Sequence, residues 1–265
     1  MAKLLNIDAI ILDKDGVFNN FHKVWLRVIA YRAQKIAEIA AETSDGLKAI
    51  RTACIRAMGV NEEDETIDPY GPCSMPFSSV RLALATALFI TKKEISPDYT
   101  WDEAFKTVDN AIDEAEQELS VIELSESFPG ALSKIKALSK AGLKLGVYTS
   151  DGVRNTELSL EKFKITKQIQ ATQAGEIKTT DLYILLCEQL GVQPKNTVMI
   201  TDSPHDLSIA KAAGAKTVLV LTGIISPTMN LKPFKKNTDQ VIDSLADFDL
   251  SQISMSKKKT KLNDS

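Results

Sequence analysis

Cysteine is scarce in this 265-residue chain, and Cys54, Cys73 and Cys187 stand far apart, form no CxxC and leave one over. That argues against both a disulfide framework and a zinc centre. An excess of one charge is missing too. The 32 Lys and Arg against 35 Asp and Glu leave a net charge of −3. Nucleic acid is therefore not expected as the main partner, because phosphate-backbone binding needs a net basic face. No apolar run reaches the ~20 residues of a membrane helix. The longest uncharged stretch, Thr217 to Leu231, is broken by Gly223 and Pro227. The first residues hold one Lys and a short apolar run cut by Asp8, unlike a secretory signal. A cytoplasmic protein is the expectation. What remains is an ordinary folded composition, 44% hydrophobic and 25% charged, with length for one large domain or two smaller ones. No internal repeat is visible.

The hydrophobic pattern divides the chain. Ile7 to Leu12 reads as a short buried strand that runs into the polar turn Asp13-Lys14-Asp15-Gly16. From about Phe21 to Leu124 the spacing becomes helical, with four stripes: Trp25 to Ile39, Leu47 to Ala57, Leu82 to Phe89 and Phe105 to Leu119. The longest connection among them is Asn61 to Phe77. After Phe128-Pro129-Gly130, helices alternate with strands predicted at Leu143–Thr149, Ile169–Thr172, Thr197–Thr201 and Thr217–Leu221. Such alternation predicts a parallel sheet covered on both faces. The fold expected is α/β: a Rossmann-like parallel core of residues 1–18 and 126–250, an inserted all-helical cap of residues 19–125, and a disordered polar tail of residues 251–265 carrying Lys257-Lys258-Lys259.

Ligands of open parallel sheets bind at the carboxyl ends of the strands. There the chain places Asp13 and Asp15, then Thr149 and Ser150, then Thr201 and Asp202 with Asp206 four residues on; Lys178 precedes the helix leading to Thr197–Thr201. Carboxylates gathered at one point repel unless a cation holds them, and Mg²⁺ suits hard oxygen ligands and a phosphate. Asp13 and Asp15 are two residues apart. In an extended segment they project to one side, ~6.5–7 Å apart, so one can act as nucleophile and the other as proton donor. Each residue also has a plainer reading: a polar Asp-Gly turn, N-caps at Thr149 and Ser150, a surface lysine at 178, and Asp206 closing a capping box with Ser203 behind Pro204. Their shared position at strand ends is what joins them.

Leu12-Asp13-Lys14-Asp15-Gly16-Val17 resembles the first motif of the haloacid dehalogenase superfamily, Val147-Tyr148-Thr149-Ser150 its second, Lys178 its third, and Val198 to Leu207 followed by Ala212-Ala213-Gly214-Ala215 its fourth. The helical insert resembles that family's cap. Trp25 and the segment from Asp68-Pro69 to Ser79 resemble the phosphoglycolate phosphatase-like branch. The resemblance implies hydrolysis of a small-molecule phosphate ester with Mg²⁺ as cofactor. Asp13 would attack phosphorus, and Asp15 would protonate the leaving group and then activate water. Asp13, the carbonyl of Asp15 and Asp202 would hold the ion. Thr149, Ser150 and Lys178 would bind the phosphoryl group, and Asp206 would orient its neighbours from behind. The chain departs from the pattern at Thr201, where Gly is usual, and at Ile177-Lys178-Thr179-Thr180, where a Lys-Pro-x-Pro run is usual. A phosphomutase of the same superfamily and a catalytically silent binding protein are the alternatives, and the oligomeric state is left open. Arg81, near the Pro69–Ser79 loop, is a candidate for a second anionic group. His22 and the helical aromatics read as structural, His205 as solvent-facing.

Overall fold

The structure is a computed structural model that describes residues 4–225 and 227–254, without the side chains of residues 4, 5 and 21–23. The side chain of His22 and the lysine-rich end of the chain lie outside the described residues. In chain order the elements are β1 (Leu4–Leu5), β2 (Ala9–Leu12), α1 (Phe21–Ala40), α2 (Ser44–Ala57), β3 (Val60–Asn61), β4 (Thr66–Ile67), α3 (Phe77–Lys93), α4 (Trp101–Glu118), α5 (Val121–Leu124), α6 (Ala131–Lys140), β5 (Lys144–Thr149), α7 (Val153–Lys162), β6 (Ala171–Ala174), α8 (Thr180–Gln189), β7 (Thr197–Thr201), α9 (Pro204–Ala212), β8 (Lys216–Val220), β9 (Gln240–Ile242) and β10 (Ile253–Ser254). They form two compact units, one running up to Asn19 and resuming at Ser127, the other Asn20–Glu126.

The first unit is a six-stranded sheet in the order β6-β5-β2-β7-β8-β9, parallel throughout. Side chains alternate across it, as a pleated strand requires. On β2, Ile10 and Leu12 enter a core with Ile135 and Leu138 of α6 and Leu160 of α7. Ala9 and Ile11 enter the opposite core with Tyr183 and Leu186 of α8 and Ala210 of α9. Both faces of the sheet are thereby buried, which is why its strands read as unbroken apolar runs. The chain builds outward from β2 on one side through β5 and β6, then returns to pair β7 on the other. The switch point is therefore β2 itself, between β5 and β7.

Two features of this unit escaped the pattern. Strand β9 is only Gln240–Ile242. The chain also keeps its structure beyond residue 250: Leu250–Gln252 forms a 3₁₀ turn, and β10 pairs in parallel with β1. Residues 251–254 therefore do not belong to the disordered tail expected from their polarity.

In the helical unit α1 packs on α2 and α4, α2 on α3, and α3 on α4. Thr43 caps α2 by accepting from the Gly46 N–H. Thr100 and Glu103 close a reciprocal capping box on α4. The buried face of α3 is Val80, Leu84, Ala85 and Leu88, so the Leu82 stripe was one step out of phase and Leu82 is exposed. The expected Asn61–Phe77 loop contains a minimal antiparallel ribbon of β3 and β4. The aromatics of these stripes, Trp25, Phe89 and Phe105, are half-buried rather than core.

Candidate active site

The pleat that fills the sheet also aims the site. Asp13 follows Ala9 and Ile11 on the α8–α9 face, and its N–H extends the ladder to Ile200 O at 3.0 Å. Thr201 follows Thr197 and Met199 on that same face. Lys178, just ahead of α8, and Asp206, in the first turn of α9, approach from the helices that cover it. Lys178 Nζ lies 3.2 Å from Asp13 Oδ1 and 2.6 Å from Asp206 Oδ2. The Thr201 hydroxyl is 3.3 Å from Asp13 Oδ2 and 3.4 Å from Asp206 Oδ2, and it accepts the Ser203 N–H at 3.0 Å. Asp13 Oδ1 also accepts the Lys14 N–H at 2.8 Å. Lys178 is thus no surface lysine. Thr201, a departure from the family pattern, joins the hydrogen-bonded cluster directly.

Asp202 sits apart from that lysine. Its Oδ2 accepts the Ile224 N–H at 2.7 Å, and its carboxylate is walled in by two glycines. A methyl group on Gly16 would stand 2.3 Å from Asp202 Oδ2, and one on Gly223 would stand 1.8 Å from it. Gly16 also has φ +78°, a conformation that suits glycine. Thr222 clamps this turn by donating to Gly16 O at 2.6 Å.

Burial sets the electrostatics. Desolvation pushes Asp13 up to about 6, against the pull of Lys178. Desolvation and the neighbouring Asp13 push Asp202 up to about 8. The ammonium of Lys178 is held above its usual range by Asp13 and Asp206, which outweigh its desolvation. Among the described residues, Asp206 Oδ1 is buried without a hydrogen-bond partner. One lysine therefore faces two of the three buried carboxylates and leaves Asp202 without a cation, and a divalent ion would complete the balance. No group of three His, Cys, Asp or Glu side chains among the described residues is placed to hold a metal by itself. The expected set draws on two carboxylates, Asp13 and Asp202, and on the backbone carbonyl of Asp15, so the residues present fit Mg²⁺.

The remaining predicted residues fall around this cluster. Asp15 Oδ1 accepts from Asn19 Nδ2 at 2.6 Å and pairs with Lys14 Nζ at 3.0 Å. Thr149 is buried at the end of β5, where its hydroxyl accepts the Asp151 N–H at 3.2 Å; Ser150 is exposed. Neither caps α7, whose N-cap is Gly152. Ser203 does cap α9, but the Asp206 carboxylate turns to Lys178 instead of closing a box. His205 is exposed, as expected. Arg81 is occupied by Asp109 through contacts of 2.5 to 2.8 Å, so it is not a free anion receptor. Sequence reasoning missed Lys14, Asp151, Gly223 and Tyr148. The Tyr148 hydroxyl donates to Thr179 O at 2.9 Å, and its ring lies 5.3 Å from Lys178 Nζ, steadying the lysine.

The fold and site define a parallel-sheet protein with an acidic, lysine-bridged centre at the switch point. The profile of the haloacid dehalogenase-like hydrolases matches residues 7–214, and the chain belongs to that family. It is 29% identical over 125 residues to the N-acetylmuramic acid 6-phosphate phosphatase of Pseudomonas aeruginosa, covering 45% of this chain and 54% of that one. It is 33% identical over 101 residues to the phosphoglycolate phosphatase of Rhodospirillum rubrum, covering 36% and 42%. The matches thus span about half or less of those relatives' lengths. The crystal structure of a protein described as a predicted phosphoglycolate phosphatase from Haemophilus somnus 129pt shares the fold, with a TM-score of 0.63 at 17% identity over 91% of this chain and 96% of that chain. No helix among the described residues is long and apolar enough to cross a membrane.

Proposed function

We propose that the protein is a Mg²⁺-dependent phosphomonoester hydrolase of small organic phosphates that works through an aspartyl-phosphate on Asp13. The observation that carries this reading is the convergence of Asp13, Asp202, Asp206 and Lys178 at the carboxyl ends of β2 and β7. Asp13 is held by the Lys14 N–H, Lys178 and the Thr201 hydroxyl, so its carboxylate is locked before substrate arrives, which favours in-line attack. Attack forms the Asp13 O–P bond as the ester P–O bond breaks. Asp15 gives its proton to the departing alkoxide. It then takes a proton from the water that attacks the phosphoryl-aspartate, releasing inorganic phosphate and restoring both acids. Thr149, Ser150 and Lys178 bind the phosphoryl oxygens, and Asp206 fixes Lys178. Asp13, Asp202 and the Asp15 carbonyl are the groups to hold Mg²⁺. When bound, the ion supplies the positive charge that lets a carboxylate meet an anionic ester.

The names of the curated relatives support a phosphorylated small metabolite, with phosphoglycolate or a sugar or polyol phosphate as the substrate class. The free thiols of Cys54, Cys73 and Cys187 support a cytoplasmic, reducing setting.

The test is a panel of phosphate esters assayed with and without Mg²⁺ on the wild type and Asp13→Asn. The variant is expected to lose at least about a thousandfold in turnover. Wild-type turnover in Asp13→Asn overturns the reading. Free phosphate as the product from a sugar phosphate, rather than an isomeric sugar phosphate, distinguishes the hydrolase from a mutase.

A further inference from the structure

We propose that Lys14 is a positioning residue that fixes Asp15 for proton donation and ties it to the Thr149 loop, so that the enzyme serves esters with poor leaving groups. This rests on the phosphomonoesterase reading. Lys14 lies between the two acids of the first motif, yet it is 2% exposed, among the largest fully buried side chains of the protein. Lysine is almost never buried to that degree unless paired. Its ammonium bridges two carboxylates, at 3.0 Å from Asp15 Oδ1 and 3.0 Å from Asp151 Oδ2.

Both ends of the bridge are themselves braced. On one side, Asn19, buried to the same extent, donates to the same Asp15 Oδ1 at 2.6 Å. With Lys14 and Asn19 both on Oδ1, the carboxyl cannot swivel, and Oδ2 is the oxygen left to carry the proton. On the other side, Asp151 Oδ1 accepts from the Gly152 N–H at 2.8 Å and from Asn155 at 3.3 Å, and its own N–H donates to Thr149 Oγ1 at 3.2 Å. Lys14 thus links the proton donor to the loop that carries a phosphoryl-binding hydroxyl. A lysine that merely filled space would need no pair of acids; Ile10 and Leu12, earlier on β2, fill the core with apolar side chains.

A general acid matters only when the leaving oxygen needs a proton, whereas Asp15 as base serves the second step for every ester, so the rate of the first step exposes the acid role. Release of the alcohol in a single turnover is measured on β-glycerophosphate, which leaves as an alkoxide, and on p-nitrophenyl phosphate, which leaves as a stable anion. Lys14→Met is expected to lose at least about thirtyfold in that rate on β-glycerophosphate and under about fivefold on p-nitrophenyl phosphate. Lys14→Arg should recover most of the alkyl-ester rate. In an Asp15→Asn background the same Lys14→Met change should cost under about twofold, since the residue it positions is gone. If Lys14→Met fails to fold, Lys14→Gln with Asp151→Asn, which removes the orphaned charge, carries the comparison. Equal losses on the two esters, or additive losses with Asp15→Asn, overturn the role of Lys14 while leaving the phosphatase reading intact. A wild type inactive on both esters overturns the two together.

Discussion

Replacing Lys178 with Met removes the cation that Asp13 and Asp206 face, at 3.2 and 2.6 Å, and leaves the Lys178 site apolar. All three groups are buried, so solvent screens the loss poorly. Breaking a buried pair by deleting one partner costs about 3–5 kcal/mol, and that is the expected loss of core stability at pH 8 in metal-free protein. Adding Asp206→Asn removes one orphaned charge and should recover about half of it, because the two changes share an interaction. The loss should also shrink at lower pH. The native-state pKa of Asp13, about 6 with Lys178 in place, lies above its unfolded value; without the lysine it rises further. An acid raised in the folded state is stabilised by protonation, so stability lost at pH 8 returns as the pH falls through the folded pKa. Hydrogen exchange of the β2 and β7 amides is the assay. Tryptophan fluorescence would miss the effect, since Trp25 and Trp101 both belong to the helical unit. A loss below about 1 kcal/mol, or no recovery with Asp206→Asn, would refute the electrostatic account.

Gly223→Ala should displace the Asp202 carboxylate, since the new methyl would lie 1.8 Å from it; Mg²⁺-dependent turnover is expected to fall at least about tenfold while the fold persists by circular dichroism. The thermal shift produced by saturating Mg²⁺ should grow from pH 6 to pH 8. In metal-free protein Asp202 titrates at about 8, far above its unfolded value, so metal-free stability declines over that interval while the metal has to displace a proton from a shrinking fraction of the molecules. Tyr148→Phe deletes the hydroxyl bond to Thr179 O. It should cost about 1 kcal/mol in unfolding free energy and raise KM for a phosphate ester as Lys178 loosens.

Much of the fold was legible because burial on two faces leaves a direct trace in sequence. Ala9-Ile10-Ile11-Leu12 and Thr197-Val198-Met199-Ile200 are uninterrupted apolar runs because each alternate residue has a core to enter. Gln240-Val241-Ile242 and the Leu4–Leu5 pairing with Ile253–Ser254 left no such trace, being too short for any period to register. The strand-end acids were legible for the same reason as the strands. Lys14 and Asp151 were not, because a lysine among aspartates reads as a solvated turn, and only the three-dimensional path of the chain encloses it. Gly223 lies 21 residues past Asp202, in a loop whose composition says nothing of what its backbone must approach. Thr201 looked like an obstacle to the turn. Its conformation is not left-handed, so the usual glycine was not required there, and its hydroxyl contributes a bond instead.

The two ends of the helical unit are stitched to each other: the Asn20 N–H donates to Glu126 O at 2.7 Å, and two residues outward the Phe128 N–H donates to Phe18 O at 3.1 Å. A chain that departs and returns through one hydrogen-bonded doorway leaves the sheet indifferent to the length of the excursion, since closing a longer loop between fixed ends adds only a slowly growing entropic cost. The strand carrying Asp13 and the helix that resumes at Ala131 can thus stay in place while the intervening hundred or so residues drift, shrink or are exchanged, so that innovation in one half of such a protein need not be repaired in the other.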